Sequence, residues 1–201
     1  MSRGNASLRA AAVVCAIAAS AAGGRACGFE DPNGADAQRG LLNFAYPHAL
    51  YVMTAVWRAQ AEGVIARDEL SPAARMLMGF QKAVSRLKAL RDRMALSPGA
   101  GEGPAFALAL IGPMLWTRFE RAEEGLVMTT HVEGPKVGDV VIVTDEPVIA
   151  ALADGSLTPQ AAREGGLLRI YGSEASAARL TAWLDGLSAE ASPPAAGLAA
   201  N

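Results

Sequence analysis

The spacing of apolar residues changes near the middle of the chain. Over residues 36–96 apolar positions recur at helical spacing, opposite polar and charged positions. Pro47 and Ser71-Pro72 mark helix starts, because proline fits the first helical turn and serine caps it. The pattern predicts a helical region closed by an αα-hairpin, with Asp36 capping its first helix.

Beyond a Pro/Gly-rich segment, residues 97–104, which is predicted to be a linker, the apolar period shortens to two. Alternating or β-branched residues predict four strands, over residues 115–119, 126–132, 140–144 and 167–171. Residues 106–111 form either a fifth strand or a helix. The fold class is therefore α+β: an N-terminal helical region followed by a small, mostly antiparallel sheet of four or five strands covered by helices.

Helix caps recur in the second half of the chain. Asp145 is predicted to cap one helix and Gly155 to end it, Thr158-Pro159 to begin a short second helix, and Ser173 to cap a last one. From residue 188 the tail, residues 188–201, is small and Pro-rich and is predicted to be disordered.

The N-terminus has the features of an export signal, over residues 1–26. A short basic region precedes an apolar core, residues 10–22, and Gly24-Arg25-Ala26 offers a cleavage site. That core is shorter than the roughly 20 residues of a membrane span. We expect a periplasmic or secreted protein that begins near Cys27, with an irregular arm over residues 27–35.

Cys27 has three interpretations. It is a lipidated N-terminal cysteine, which would bring membrane contact, or a functional thiol or metal ligand, or simply a small residue after the cleavage site. A bacterial lipoprotein signal favours Leu three positions before the cysteine, where this chain has Gly24. Since Cys15 leaves with the signal, no disulfide framework is expected.

Composition narrows the chemistry. Eighteen Lys and Arg against 20 Asp and Glu give a net charge of −2 and no basic stripe for nucleic acid. His48 and His131 are the two histidines, each expected to be a hydrogen-bonded structural residue, and no recognised catalytic, haem or metal motif is present. We therefore expect no enzyme, no cofactor and no metal site. The three tryptophans, Trp57, Trp116 and Trp183, are expected to anchor the core.

A set of residues in the second half follows a family pattern: a D-V-x-hydrophobic strand, an acidic-capped helix, a G-x-L-x-P-x-x-A turn and a G-x-L-x-hydrophobic-x-G strand. The matching positions are Asp139, Val140, Gly155, Leu157, Pro159, Ala161, Ala162, Gly166, Leu168, Ile170 and Gly172. Residues 139–172 thus resemble the signature half of the sterol carrier protein family. The resemblance extends over about residues 105–187.

The resemblance implies an apolar slot between sheet and helices that holds a lipid or another apolar molecule. The residues expected to line it are Leu115, Phe119, Met128, Val141, Val143, Val148, Ile149, Leu152, Leu168 and Ile170. The same residues would form the core of any α+β domain of this size.

Two functions remain open. The first is an exported, non-enzymatic binding protein that holds a lipid or other apolar small molecule. The second is a periplasmic accessory protein, without a ligand of its own, that docks on an enzyme or a membrane complex. A large exposed apolar patch over residues 36–62 would favour the second, because monomers rarely leave such a patch bare.

Overall fold

The computed structural model describes residues 32–67, 70–97 and 103–189 of the chain. The predicted signal segment, Cys27 and the first part of the expected arm lie outside these residues, as does the tail from residue 190. The export and lipidation expectations therefore remain predictions.

Three helices form the first part of the structure: α1 Pro32–Ala45, α2 Ala49–Ala61 and α3 Pro72–Leu96. α1 begins at Pro32 rather than at Asp36, so residues 32–35 are helical and not part of an irregular arm. Proline lacks the N–H that the first turn leaves unpaired, which lets it open a helix without a later cap. α3 begins as predicted, and the hydroxyl of Ser71 accepts a hydrogen bond from Ala74 N–H at 3.2 Å.

Five strands form one mixed sheet: β1 Phe106–Leu110, β2 Leu115–Ala122, β3 Gly125–Thr130, β4 Val140–Thr144 and β5 Arg169–Tyr171. Their order across the sheet is β3-β2-β1-β4-β5. β1 runs parallel to β4, and the other pairings are antiparallel. The segment expected to be a strand or a helix is thus the central strand, with every residue buried, as in strands covered on both faces.

The remaining helices are α4 Glu146–Asp154, α5 Pro159–Glu164 and α6 Glu174–Ala189. Their caps agree with the sequence. The Asp145 carboxylate accepts Glu146 N–H at 2.9 Å, and Thr158 accepts Ala161 N–H at 3.2 Å. Gly155 ends α4 with a φ of 81°, a conformation that glycine adopts without a steric penalty.

The strand register separates two faces of the sheet, because alternate side chains point to opposite sides. One face, the α3 face, carries Phe106, which stacks on Phe119 with ring centroids 4.6 Å apart. The edge of Trp183 from α6 meets Phe106 on this face, and the Trp183 indole donates to the Met94 carbonyl of α3 at 3.1 Å. The α3 face is therefore covered by α3 and α6, with α4 packed on α3.

The opposite face, the α1 face, carries Ala107 and Ala109 of β1 and Trp116 of β2. Tyr46, directly after α1, packs there against Trp116, and α2 contacts β4. The buried residues of all three layers belong to one hydrophobic cluster. The helical region and the sheet thus share a single core.

Residue 103, at the end of the expected linker, packs against that core. A Cβ atom on Gly103 would overlap the Trp183 ring, which is buried and held by its hydrogen bond to Met94. We therefore expect Gly103→Ala to lower the free energy of unfolding by about 1–3 kcal/mol, the range for overpacking a core. Urea unfolding followed by circular dichroism measures this change.

Gly40→Ala provides the matched control. Gly40 lies within α1, and nothing lies within 4 Å of its added Cβ atom. Alanine favours the helix by about 0.5–1 kcal/mol over glycine, so this variant should be slightly more stable than the parent. Equal stability of the Gly103→Ala variant and the parent would contradict the close packing of residue 103 on Trp183.

Candidate functional site

The residues predicted to line an apolar slot lie in the hydrophobic core. Eight are buried, and Met128 and Ile170 are half-buried and packed against the others. The register divides them between the two faces: Phe119 lies on the α3 face, whereas Val141 and Val143 lie on the α1 face. They serve here as core, and contact of any of them with a ligand remains a prediction.

A groove lies at a different place, between α1 and the loop that follows β3. Its volume is about 300 Å³. The lining residues come from α1, the β1–β2 turn, β2 and that loop: Gln38, Leu41, Leu42, Ala45, Tyr46, Met114, Trp116, His131, Val132, Glu133, Gly134 and Pro135. None of the predicted slot residues lines it.

Aromatic side chains form one wall of the groove. The ring of Tyr46 lies 6.1 Å from that of Trp116 and 5.3 Å from that of Tyr171, measured between centroids. Small side chains make room for this cluster, since Trp116 is paired in register with Ala109 of the central strand. The Tyr171 hydroxyl donates to the Pro47 carbonyl at 2.8 Å and so ties the end of α1 to β5. Burial raises the pKa of both tyrosines.

Two residues of the groove hold backbone conformations that side chains usually avoid. Met114 has a φ of 51° and His131 a φ of 61°, both in the left-handed region. A hydrogen bond from Val132 N–H to the Trp116 carbonyl, 3.2 Å long, fixes the chain beside His131. This bond thus fixes the backbone at the point where the His131 side chain lines the groove.

A buried ion pair anchors the loop that lines the groove. Arg118 on β2 donates from Nε and Nη2 to the two carboxylate oxygens of Asp139, at 2.8 and 3.1 Å, and also pairs with Glu120. Lys136 N–H donates to the same Asp139 carboxylate at 2.9 Å. Burial works to raise the pKa of Asp139, but the hydrogen bonds from Arg118 and Lys136 outweigh it, and the pKa lies below its usual value.

A second polar cluster joins α1 to the β1–β2 turn. The Arg39 guanidinium donates to the carbonyls of Ile111 and Gly112 and pairs with Asp36. The Asp145 carboxylate accepts Gly112 N–H at 3.3 Å in addition to its capping bond. Burial raises the pKa of Asp145, and the two backbone hydrogen bonds and the nearby charge of Arg39 only partly oppose this.

Large apolar side chains project from α1 and α2 into solvent. Two of them lie on α1 and four on α2, and together they are called the α1–α2 surface: Leu41, Phe44, Leu50, Tyr51, Met53 and Trp57. Phe44 is 90% exposed and Trp57 71% exposed, so the prediction that Trp57 anchors the core is wrong. Between Arg39 and Arg58 the sequence contains no Asp, Glu, Lys or Arg. Exposed helix faces normally carry such residues, so this surface is unusual.

The α2 helix shows why this surface could not be predicted from single residues. Ala49, Val52, Val56 and Ala59 already supply a buried face. Leu50, Met53 and Trp57 follow a second stripe at i, i+3 and i+7, beside the first. A helix with two adjacent apolar stripes can bury only one of them against its own sheet. The second stripe is therefore the sequence signal that indicates an exposed apolar surface on α2.

The chemistry of the described residues is sparse. Both histidines are exposed; the His48 ring stacks on Tyr51, and the His131 ring lies 6.2 Å from that of Phe80. Over residues 32–67, 70–97 and 103–189, no cluster of three or more His, Cys, Asp or Glu side chains could hold a metal ion. Within the same ranges, no helix combines the length and hydropathy needed to span a bilayer.

No protein-family model and no curated protein matches the sequence. A similar solved structure is the solution structure of a conserved hypothetical protein from Thermus thermophilus, suggested to be a sterol carrier protein. The two chains are 20% identical with a TM-score of 0.33, over 58% of this chain and 91% of the other. At this TM-score the likeness carries no argument, so the interpretation of the site rests on its geometry.

Removing one partner of the buried ion pair tests its role in anchoring the loop. We expect Asp139→Asn to lower the free energy of unfolding by about 2 kcal/mol, less than the 3–5 kcal/mol of a fully isolated pair, because Arg118 keeps Glu120. The native pKa of Asp139 is depressed, so its stabilisation is present at neutral pH and is lost on acidification. Urea unfolding at several pH values measures both effects. A Glu120→Gln control should change stability much less, since that carboxylate faces solvent.

Asp145 should show the opposite pH dependence. An asparagine side chain at this position would keep the capping acceptor without the cost of burying a charge, so the Asp145→Asn variant should match or exceed the parent in stability at neutral pH. Because burial raises the pKa of Asp145, the parent gains stability relative to this variant as the pH falls from about 7 towards 4. Thermal unfolding across this range measures the difference in stability. A parent that loses stability relative to the variant on acidification would show that the fold favours the ionised carboxylate over the protonated acid.

Proposed function

We propose that this chain is an exported, non-enzymatic accessory protein that docks on a protein partner through the α1–α2 surface. The observation that carries the proposal is the exposure of Phe44 and Trp57 in a segment that has no Asp, Glu, Lys or Arg between Arg39 and Arg58. Aromatic residues are enriched, and charged residues depleted, at the cores of protein interfaces.

The packing on the other side of the two helices supports this assignment. Val52 and Val56 of α2 are buried, and Arg39 and Tyr46 fix α1 to the sheet. The α1–α2 surface is therefore carried by helices that are already held in place. A partner would meet a preformed surface and would lose little free energy in ordering it.

The export and non-enzymatic parts of the proposal rest on the sequence. Residues 1–26 have the features of a cleavable signal, and the chain contains no recognised catalytic motif. The partner is accordingly a periplasmic enzyme or a membrane complex. Lipidation at Cys27 would add membrane contact and would be seen as acyl chains in the mass of the processed protein.

Substitutions on the α1–α2 surface test whether it docks on a protein partner. The Phe44→Glu/Trp57→Glu double variant should lose a partner that co-purifies in fixed stoichiometry with the parent from its own envelope, or bind that partner at least about 30-fold more weakly. Quantitative cross-linking followed by mass spectrometry measures the loss. Urea unfolding should show the fold intact, since both side chains lie outside the core.

Leu96→Glu is the matched control, because Leu96 is an exposed apolar residue at the end of α3, the helix that covers the other face of the sheet. It should bind the partner as the parent does. Retention of the same partner by the double variant would contradict docking through α1 and α2.

A carrier of a lipid or other apolar small molecule is the second candidate function. The observation that favours it is the groove of about 300 Å³, lined largely by apolar and aromatic side chains, at the lower end of the size range of ligand pockets. Native mass spectrometry of the envelope-purified protein should then show excess mass that leaves with organic solvent. A bare polypeptide mass would contradict the carrier function, and the accessory function would be the remaining candidate.

A further inference from the structure

The charged and polar residues around the groove favour one sign of ligand charge. Among the described residues that line it, none is Lys or Arg, and Glu133 is the one acidic residue. We propose that the groove binds a small organic cation with an apolar body, such as an aromatic amine or a quaternary ammonium compound. This inference rests on the second candidate function, that the groove is a ligand site, and adds the chemical class of the ligand.

The aromatic wall supplies the first attraction. Trp116 and Tyr46 are half-buried, and their ring centroids lie 6.1 Å apart at the groove. A cation within about 6 Å of a ring centroid is attracted by the negative face of the ring, most strongly for tryptophan, and more so when water is partly excluded. An apolar body would meanwhile lie against Leu41, Leu42 and Met114.

Two arginines near the groove are directed to other groups of the protein. Arg39, next to Gln38 on α1, has its guanidinium directed to two backbone carbonyls and to Asp36. Arg118 is directed to Asp139 and Glu120. Glu133 forms none of the ion pairs found among the described residues. Its carboxylate is thus the one acidic group among the lining residues, none of which is Lys or Arg, and an anionic ligand would be repelled there.

The volume sets the size of the ligand. A cavity of about 150 Å³ takes one benzene molecule, so a groove of about 300 Å³ suits one ring with a small cationic group. The open side of the groove allows a longer substituent to project into solvent. Phenyltrimethylammonium meets these requirements, and tert-butylbenzene has nearly the same shape without the charge.

The experiment is to compare these two probes, with benzenesulfonate as the anion, on the full chain by chemical-shift titration. We expect phenyltrimethylammonium to bind at least about ten-fold more tightly than tert-butylbenzene, with the largest shifts at Trp116 and His131, and benzenesulfonate not to bind. Glu133→Gln should weaken the cation about three- to ten-fold and leave tert-butylbenzene unchanged.

Glu124→Gln is the control for charge alone, because Glu124 lies in the exposed turn between β2 and β3, at the opposite end of these strands from Trp116. It should leave cation binding unchanged. Equal affinity for the cation and its neutral analogue would overturn the assigned ligand class while leaving the groove as an apolar site. Equal weakening by both Glu substitutions would overturn it too, since it would indicate general attraction to an acidic surface.

Absence of binding by every probe would overturn this inference, whereas the carrier function is tested separately by native mass spectrometry and docking through the α1–α2 surface by the Phe44→Glu/Trp57→Glu variant. Conversely, that double variant should retain cation binding, because neither Phe44 nor Trp57 lines the groove. The two proposals therefore fail independently.

Discussion

Burial of the central strand on both faces is the constraint from which the architecture follows. Every residue of β1 is out of contact with water, so apolar layers must cover the sheet on both sides. The larger β1 side chains, such as Phe106, point to α3 and α6 and pack against Trp183. The small ones, Ala107 and Ala109, point to the other side, where the bulk must come from elsewhere.

That bulk is supplied by α1, α2 and the aromatic cluster around Tyr46. Because the alanines of β1 leave space, Tyr46 can lie between Trp116 and Tyr171. α1 is fixed near its middle by Arg39 and at its end by Tyr46, and the loop after β3 is fixed by Asp139. The groove is the space left between these two fixed segments, so its shape depends on polar anchors rather than on its own lining.

Local signals predicted much of the fold. Ser71, Asp145 and Thr158 cap helices as expected, because a cap is decided by a side chain and backbone N–H groups within three residues. The five-residue strand FALAL could not be separated from a helix by its period, since a strand buried on both faces does not alternate. α1 begins four residues before the predicted cap Asp36, because Pro32 already fits the first helical turn.

The sequence predicts less of the candidate site, because the groove is formed by residues that are distant in the chain. The groove joins Gln38 on α1 with Trp116 and Pro135, and such long-range proximity follows from the packing of α1 on the sheet. The residues predicted to line the slot lie on the strands, on α4 and just before β5, and here they form core. The exposure of Trp57 depends on which of two apolar stripes of α2 faces the sheet, and only the tertiary structure decides between them.

The hydrogen bond between Trp183 and Met94 has a consequence for the order of folding. It joins the last helix to the middle of the chain, and the central pairing of β1 with β4 also brings distant segments together. Contacts of such long sequence separation close late, because their loop entropy must be overcome first. The core therefore closes only after α6 has been synthesised. Until then the α3 face of the sheet lacks the helix whose Trp183 packs against Phe106.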